Sequence, residues 1–369
     1  MRHKKKSTTT PIMRASNQWP LTFSNNPQTR WVFTNADQSL LTKAQQIALN
    51  YHFRCEQTVH FASSCFFNFN GTGGVWRMAA IEQVGGWMSR TTVEDMDLSL
   101  RAFLACWRSV YLEDVTCPSE LPASLYAYRK QQHRWTCGPM QLLTKALPDV
   151  LASKQPWQHK LDVLYCYFGV GKFATHVVCL LFYCLLLPVA VLVPSLHIPT
   201  WALFQMPVMC TIGTCIYTPG SWAFVMVYVL YNNAMSVVKF WAVVCGLLGL
   251  PRANEWVVTT KLGSGAKGGP TTVPVRRVYP LEIIMGLLLL LVAWRGLATS
   301  ARFGVTVFLA LQGLAFIAFG LNLVDCAMLG HKRSYNKAVS LAAAAKLQHM
   351  LRKHYSVVPF AKKENDAKV

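Results

Sequence analysis

The chain has 369 residues, 53% of them hydrophobic and only 14% charged, with a formal net charge of +20. So apolar a composition excludes an ordinary soluble domain. The positive charge does not point to nucleic acid, because the basic residues form no face interleaved with aromatics; they gather in the N-terminal tail (Arg2, Lys4, Lys5, Lys6), between Arg252 and Arg277, and after His331, flanking apolar runs as the positive-inside rule expects.

Residues 1–20 form a basic, polar tail without the apolar core of a signal peptide. From 21 to 160, short β-like runs such as Trp31-Val32-Phe33 mix with helical ones such as Leu40 to Phe53, which predicts a soluble α/β domain. Within it, Phe69-Asn70-Gly71-Thr72-Gly73-Gly74 is a turn able to bring backbone amides close to a sugar or phosphate. Thr91-Thr92-Val93-Glu94-Asp95-Met96-Asp97 reads as a helix start, with Thr92 as cap and acidic residues in the first turn. The same residues suit proton abstraction: Asp95 as base, with Glu94 and Asp97 as like-charge neighbours that tune its proton affinity. Tyr128 to Trp135 is basic and amphipathic. Arg134 offers a planar fork for pyrophosphate, and the Trp135 indole face suits a pyranose ring. A membrane-surface helix anchored by its Trp explains this segment equally well.

A membrane-crossing helix needs about 20 apolar residues. The segments Phe173–Val193, Trp201–Tyr217, Trp222–Leu250, Leu281–Leu297 and Phe303–Val324 approach that length within a region from 161 to 330. Between the third and fourth lies Trp256-Val257-Val258-Thr259-Thr260-Lys261, which alone reads as a short interfacial strand with an anchoring Trp. The Gly/Pro-rich stretch after it reads as a mobile loop. The 12 cysteines are scattered singly, mostly in apolar runs, and read as buried thiols rather than a zinc or disulfide framework. Residues 331–369 form a second basic tail.

In this order and spacing, these segments resemble the membrane-bound β-glycosyltransferases of the cellulose synthase superfamily, in particular the plant and algal cellulose synthase-like A and C group. Tyr51-His52-Phe53 and Glu56-Gln57 fit that group too, and the likeness runs from about Asn26 to Val324. The resemblance implies an α/β plus membrane α-helical protein: the C-terminal half of a GT-A-type catalytic domain, then about four transmembrane helices with interfacial ones. It implies that Asp95 is the catalytic base beside Glu94, and that Asn70, Gly71 and Thr72 line the acceptor pocket. Gln131, Arg134 and Trp135 would hold the acceptor terminus at the channel entrance. Trp256, Val258, Thr259 and Lys261 would belong to a gating loop (252–274) that closes over the nucleotide diphosphate, with glycines that let it move.

Arg134 and Lys261 must then face one side of the membrane, so an even number of crossings separates them. Trp222–Leu250 is the segment expected to lie in the interface, because Asn232, Asn233, Ser236 and Lys239 would be costly at bilayer depth. Four spans remain, with the C-terminus cytosolic.

The implied activity is processive, inverting β-1,4-transfer building mannan or glucomannan from GDP-mannose and GDP-glucose at the Golgi membrane, catalytic side cytosolic. The alternatives are a xyloglucan-type glucan synthase using UDP-glucose and a catalytically inactive membrane fragment. Asn254-Glu255-Trp256 leans to the A group, and Met235-Ser236-Val237-Val238-Lys239-Phe240 to the C group. Implied partners are the nucleotide sugar, the growing glycan and the bilayer, with no nucleic acid; the resemblance allows a homo-oligomer. The family uses magnesium or manganese bound by an earlier Asp-x-Asp, which is absent upstream of Thr91. No metal ligand is therefore expected here, and the chain is expected to be an incomplete copy.

Overall fold

A computed structural model describes residues 26–193, 195–196, 199, 201, 205–254, 277–299 and 302–324. Two segments rich in aromatic and β-branched residues form strands β1 (Asn26–Phe33) and β2 (Ser109–Ser119). They pair in parallel, Asn26 opposite Ser109, with a register shift between Thr29 and Arg30. A parallel pair requires a long crossover. Here it carries helices α1 (Leu40–Tyr51), α2 (Gln57–Ala62), α3 (Met78–Gln83) and α4 (Glu94–Leu104). The α1 start is fixed by a capping box in which Ser39 and Thr42 satisfy each other's backbone N–H groups. A π-helical turn, His52–Glu56, joins α1 to α2.

After β2 the chain enters α5 (Leu125–Ala152), a helix of 28 residues capped by the Ser124 side chain. Gly138 seats it against the start of α4: a Cβ there would fall 2.5 Å from Val93 Cγ1 and 3.1 Å from Thr92 Oγ1. Gly138→Leu is expected to destabilise the protein by about 1–3 kcal/mol through overpacking. The check is a lowered thermal midpoint in detergent, with Gly304→Ala, in open space, as a silent control.

Four helices are long and apolar enough to cross a membrane. With the short apolar helix α7 (Val208–Tyr217) between the first two, they are α6 (Trp157–Leu192), α8 (Trp222–Leu248), α9 (Pro280–Ala298) and α10 (Phe303–Gly320). The expected number stands but the membership differs. Among the described residues α7 is too short to span, whereas α8 qualifies by length and composition, although it is the least apolar of the four.

Three of the four polar residues expected to keep α8 out of the bilayer, Asn232, Asn233 and Lys239, are paired inside the protein. Asn233 Nδ2 donates to Gln312 Oε1 at 3.0 Å, and Lys239 Nζ donates to Asn232 Oδ1 at 2.9 Å. Such pairing lowers the cost of burial. The α8 helix breaks at Met235, and its second half, Ser236–Leu248, lies along α5. Gly246 makes that crossing close, since a side chain there would collide with the Cys137 carbonyl.

One apolar cluster joins the two regions: Leu41 and Ile47 of α1 and Leu125 and Tyr128 of α5 share a core with Tyr183, Tyr231 and Phe316 of the membrane helices. Residues on either side of 255–276 also rest on α5. Ala253 packs with Cys137, Ala242 and Cys245. On the far side, Glu282 is ion-paired with Arg129 at 2.5 Å, and the Arg129 guanidinium lies 3.8 Å over the Tyr279 ring.

Candidate active site

Asp95 sits in the first turn of α4 with its side chain half-buried. The N-cap is Val93 with no side-chain cap, not Thr92 as the sequence suggested. Thr92 is buried under α5, where its side chain faces Gly138. The backbone N–H of Met96 donates to Asp95 Oδ1 at 2.8 Å. Burial pushes the Asp95 carboxyl up to about 6, and the charge of Glu94 adds to the shift. The Met96 N–H bond and the positive charge of Arg134 oppose it. Arg134 therefore reaches the field of Asp95 from α5, which brings the second motif to the first.

The Asn70-Gly71-Thr72 turn completes this face. It is strapped to β1 by an antiparallel bridge between Gln28 and Gly74. Gln28, fully buried, accepts from the Asn70 N–H at 3.0 Å and donates to the Thr72 carbonyl at 3.0 Å. Trp31 Nε1 donates to the same carbonyl at 3.3 Å. Gly71 lies in the left-handed region at φ +76°, and a Cβ on it would stand 2.9 Å from Asp95 Oδ2. A glycine is needed there on both counts. Gly71 and Thr72 are exposed, so the turn that meets the carboxylate is open to solvent.

Gln131 is buried on α5, whereas Arg134 and Trp135 are half-buried. Trp135 packs against an aromatic cluster of Trp31, Phe53, Phe67 and Tyr111. Asp97 plays a different part from the one expected. It is fully buried, and its carboxylate is ion-paired with Arg90 at 2.6 Å and Arg101 at 3.0 Å. Two guanidinium groups neutralise it, so Glu94 is the acidic neighbour that tunes Asp95. Trp256, Val258, Thr259 and Lys261 lie outside the described residues.

The sequence matches the family described as Glycosyl transferase family group 2 over residues 18–244. The chain belongs to that family. It is 41% identical over 324 residues to "Probable glucomannan 4-beta-mannosyltransferase 11" of Oryza sativa subsp. japonica, covering 80% of this chain and 57% of the relative. Glucomannan 4-beta-mannosyltransferase 1 of the same plant is 41% identical over 80% of this chain and 59% of its own length. Glucomannan 4-beta-mannosyltransferase 2 of Arabidopsis thaliana is 44% identical over 68% of this chain and 47% of its own length. The chain thus spans about half the length of these curated relatives. Their names bear out the resemblance to the cellulose synthase-like A group.

This family generally works with a divalent metal. Asp95-Met96-Asp97 has the Asp-x-Asp spacing, but Asp97 is taken by its two arginines. Among the described residues no group of three or more His, Cys, Asp or Glu could hold an ion. The described residues therefore do not fit a metal centre.

Gln28 and the His52–Glu56 pair are the members of this neighbourhood that sequence reasoning gave no role. The i,i+4 spacing of His52 and Glu56 on one helix was the visible signal for the pair. Gln28 carried none, because a single polar residue in a strand gives no hint of a partner 42 positions away.

Proposed function

We propose that this chain carries the acceptor side of an inverting β-1,4-glycosyltransferase that extends a mannan or glucomannan backbone from GDP-mannose and GDP-glucose. The observation that carries the reading is the Asp95 carboxylate, held at about 6 by burial and bordered by the Gly71 turn on one side and the Arg134 charge on the other. A base with that proton affinity is ionised at neutral pH yet takes a proton readily. In the reaction, the acceptor hydroxyl gives its proton to Asp95 as its oxygen bonds to the donor anomeric carbon. The bond from that carbon to the phosphate oxygen breaks, and the nucleoside diphosphate leaves with the electron pair. Attack from the face opposite the leaving group inverts the centre and gives a β-linkage.

Arg134 supplies positive charge beside the reacting groups, and Trp135 a flat surface for a sugar ring. We place the site on the cytosolic side of the Golgi membrane, with Lys261 and the neighbouring loop residues contacting the diphosphate. The relatives' names favour GDP-mannose over UDP-glucose as the donor.

Membranes from cells expressing the chain joined to the preceding half of a related glucomannan mannosyltransferase, supplied in parallel with labelled GDP-mannose and UDP-glucose, test the reading. Label from GDP-mannose in a polymer cut by β-mannanase is the expected result. Incorporation from UDP-glucose alone, or from neither, would reject it. For Trp135→Ala the expected result is partial: stacking is worth on the order of 1 kcal/mol, so extension of an added oligosaccharide weakens by about fivefold at unchanged donor KM. An equal rise in donor KM would assign Trp135 to the membrane interface.

A further inference from the structure

Two residues that this chemistry does not use stand directly behind the turn that meets Asp95. The π-helical turn His52–Glu56 brings His52 Nδ1 and Glu56 Oε2 to 2.6 Å. Burial alone would push the Glu56 carboxyl up, but the hydrogen bond from His52 and the charges of Lys172, His52 and His60 outweigh it and hold it down at about 2. Glu56 is thus an ionised acceptor that fixes the ring. On the opposite edge of that ring, His52 Nε2 lies 3.1 Å from Asn70 Oδ1, to which it donates when the ring carries both protons, and 3.2 Å from Gln57 Nε2. Asn70 Oδ1 also accepts from Asn68 Nδ2 at 3.1 Å. The next residue in the chain is Gly71, the point of closest approach to the Asp95 carboxylate. A continuous line of contacts therefore runs from the Glu56 carboxylate through His52 and Asn70 to the Gly71 turn that meets Asp95.

We propose that His52, oriented by Glu56, is a positioning residue that holds the Asn70-Gly71 turn against Asp95 and so sets the gap in which the acceptor hydroxyl meets the base. The turn itself depends on such support. Its Gly71 backbone is left-handed, and Gly71 and Thr72 are exposed. Apart from main-chain anchors to β1 and the neighbouring Asn68, the side-chain hold on Asn70 comes from His52. Plain packing would make His52 replaceable by any side chain of similar volume; the geometry instead requires a polar atom at the Nε2 position and a carboxylate behind it.

The acceptor part of this inference rests on the proposed glycosyl transfer, but the positioning part is measurable without it. Amide hydrogen exchange over residues 68–73 is read in detergent for the wild type, Glu56→Gln, His52→Ala and His52→Gln, with the helix Phe303–Gly320 as internal reference. Exchange at 68–73 should rise about tenfold or more in His52→Ala and in Glu56→Gln, with the reference helix unchanged. It should return towards wild type in His52→Gln, whose amide reaches the Nε2 position. In membranes that transfer sugar, His52→Ala should lower kcat by about tenfold at unchanged donor KM, as a misplaced acceptor would. Unaltered exchange at 68–73 in Glu56→Gln overturns the proposal, as does failure of His52→Gln to recover. Absence of transfer by the wild type would count against the enzymatic reading alone, because the exchange result stands apart from it. Should His52→Ala not fold, the milder Glu56→Gln decides.

Discussion

Asp95→Asn is expected to lower glycosyl transfer by roughly 10²–10⁴-fold, the usual worth of a positioned general base, while making the protein more stable. The two effects have one cause. Burial raises the carboxyl to about 6 from an ordinary value of 3.8, so ionisation costs more in the folded protein than in the unfolded chain. Below both values the group is protonated in either state and contributes nothing. As pH rises from about 4 to about 6 the cost appears, and above 6 it is constant. A neutral amide removes it, so at pH 7 the variant should gain on the order of 1 kcal/mol. Membrane abundance is the control. A purely structural Asp95 would show the opposite pattern, a fall in thermal midpoint with transfer reduced only in proportion to folded protein.

Asp97→Ala, two residues along the same helix, should do the reverse. Its carboxylate is fully buried between Arg90 and Arg101, which are themselves only partly exposed. Removing one member of a buried ion pair typically costs 3–5 kcal/mol. Arg101 also donates to the carbonyls of Val84 and Gly86, so the loss should spread into the segment between α3 and α4. The expected result is a thermal midpoint lowered enough to deplete folded protein at 37 °C, with residual transfer proportional to what remains folded. An unchanged midpoint would mean that the arginines find water instead. Together the two substitutions separate carboxylates that the sequence shows side by side.

That separation marks how far the sequence could be read. The existence of α4, the basic α5 and three of the four membrane-length helices was legible, because periodicity and residue type are local signals. The nearness of Arg134 to Asp95 was legible only through the family resemblance, since they are 39 positions apart with strand β2 between them. The part of Asp97 was misread because its charge is settled by Arg90 and Arg101, whose directions a sequence does not give. Thr92 looked like a helix cap until Gly138 brought α5 over it. The α8 segment looked too polar to span, because the bond from Asn233 to Gln312 crosses 79 residues. In each case the missing information was a partner distant in sequence, and that partner changes the cost of burying a polar group.

The pH dependence of transfer tests the central claim, that Asp95 takes the acceptor proton, most directly. Membranes carrying the chain joined to the preceding half of a related synthase, as wild type or Asp95→Asn, are assayed with GDP-mannose and a β-1,4-mannan oligosaccharide from about pH 4.5 to 8, where the carboxyl changes state. For the wild type, kcat/KM should rise with pH, reach half its plateau near pH 6, and remain flat above. The residual rate of Asp95→Asn should lack that limb. A limb near pH 6 that survives in Asp95→Asn, or an undiminished rate in that variant, would contradict the assignment.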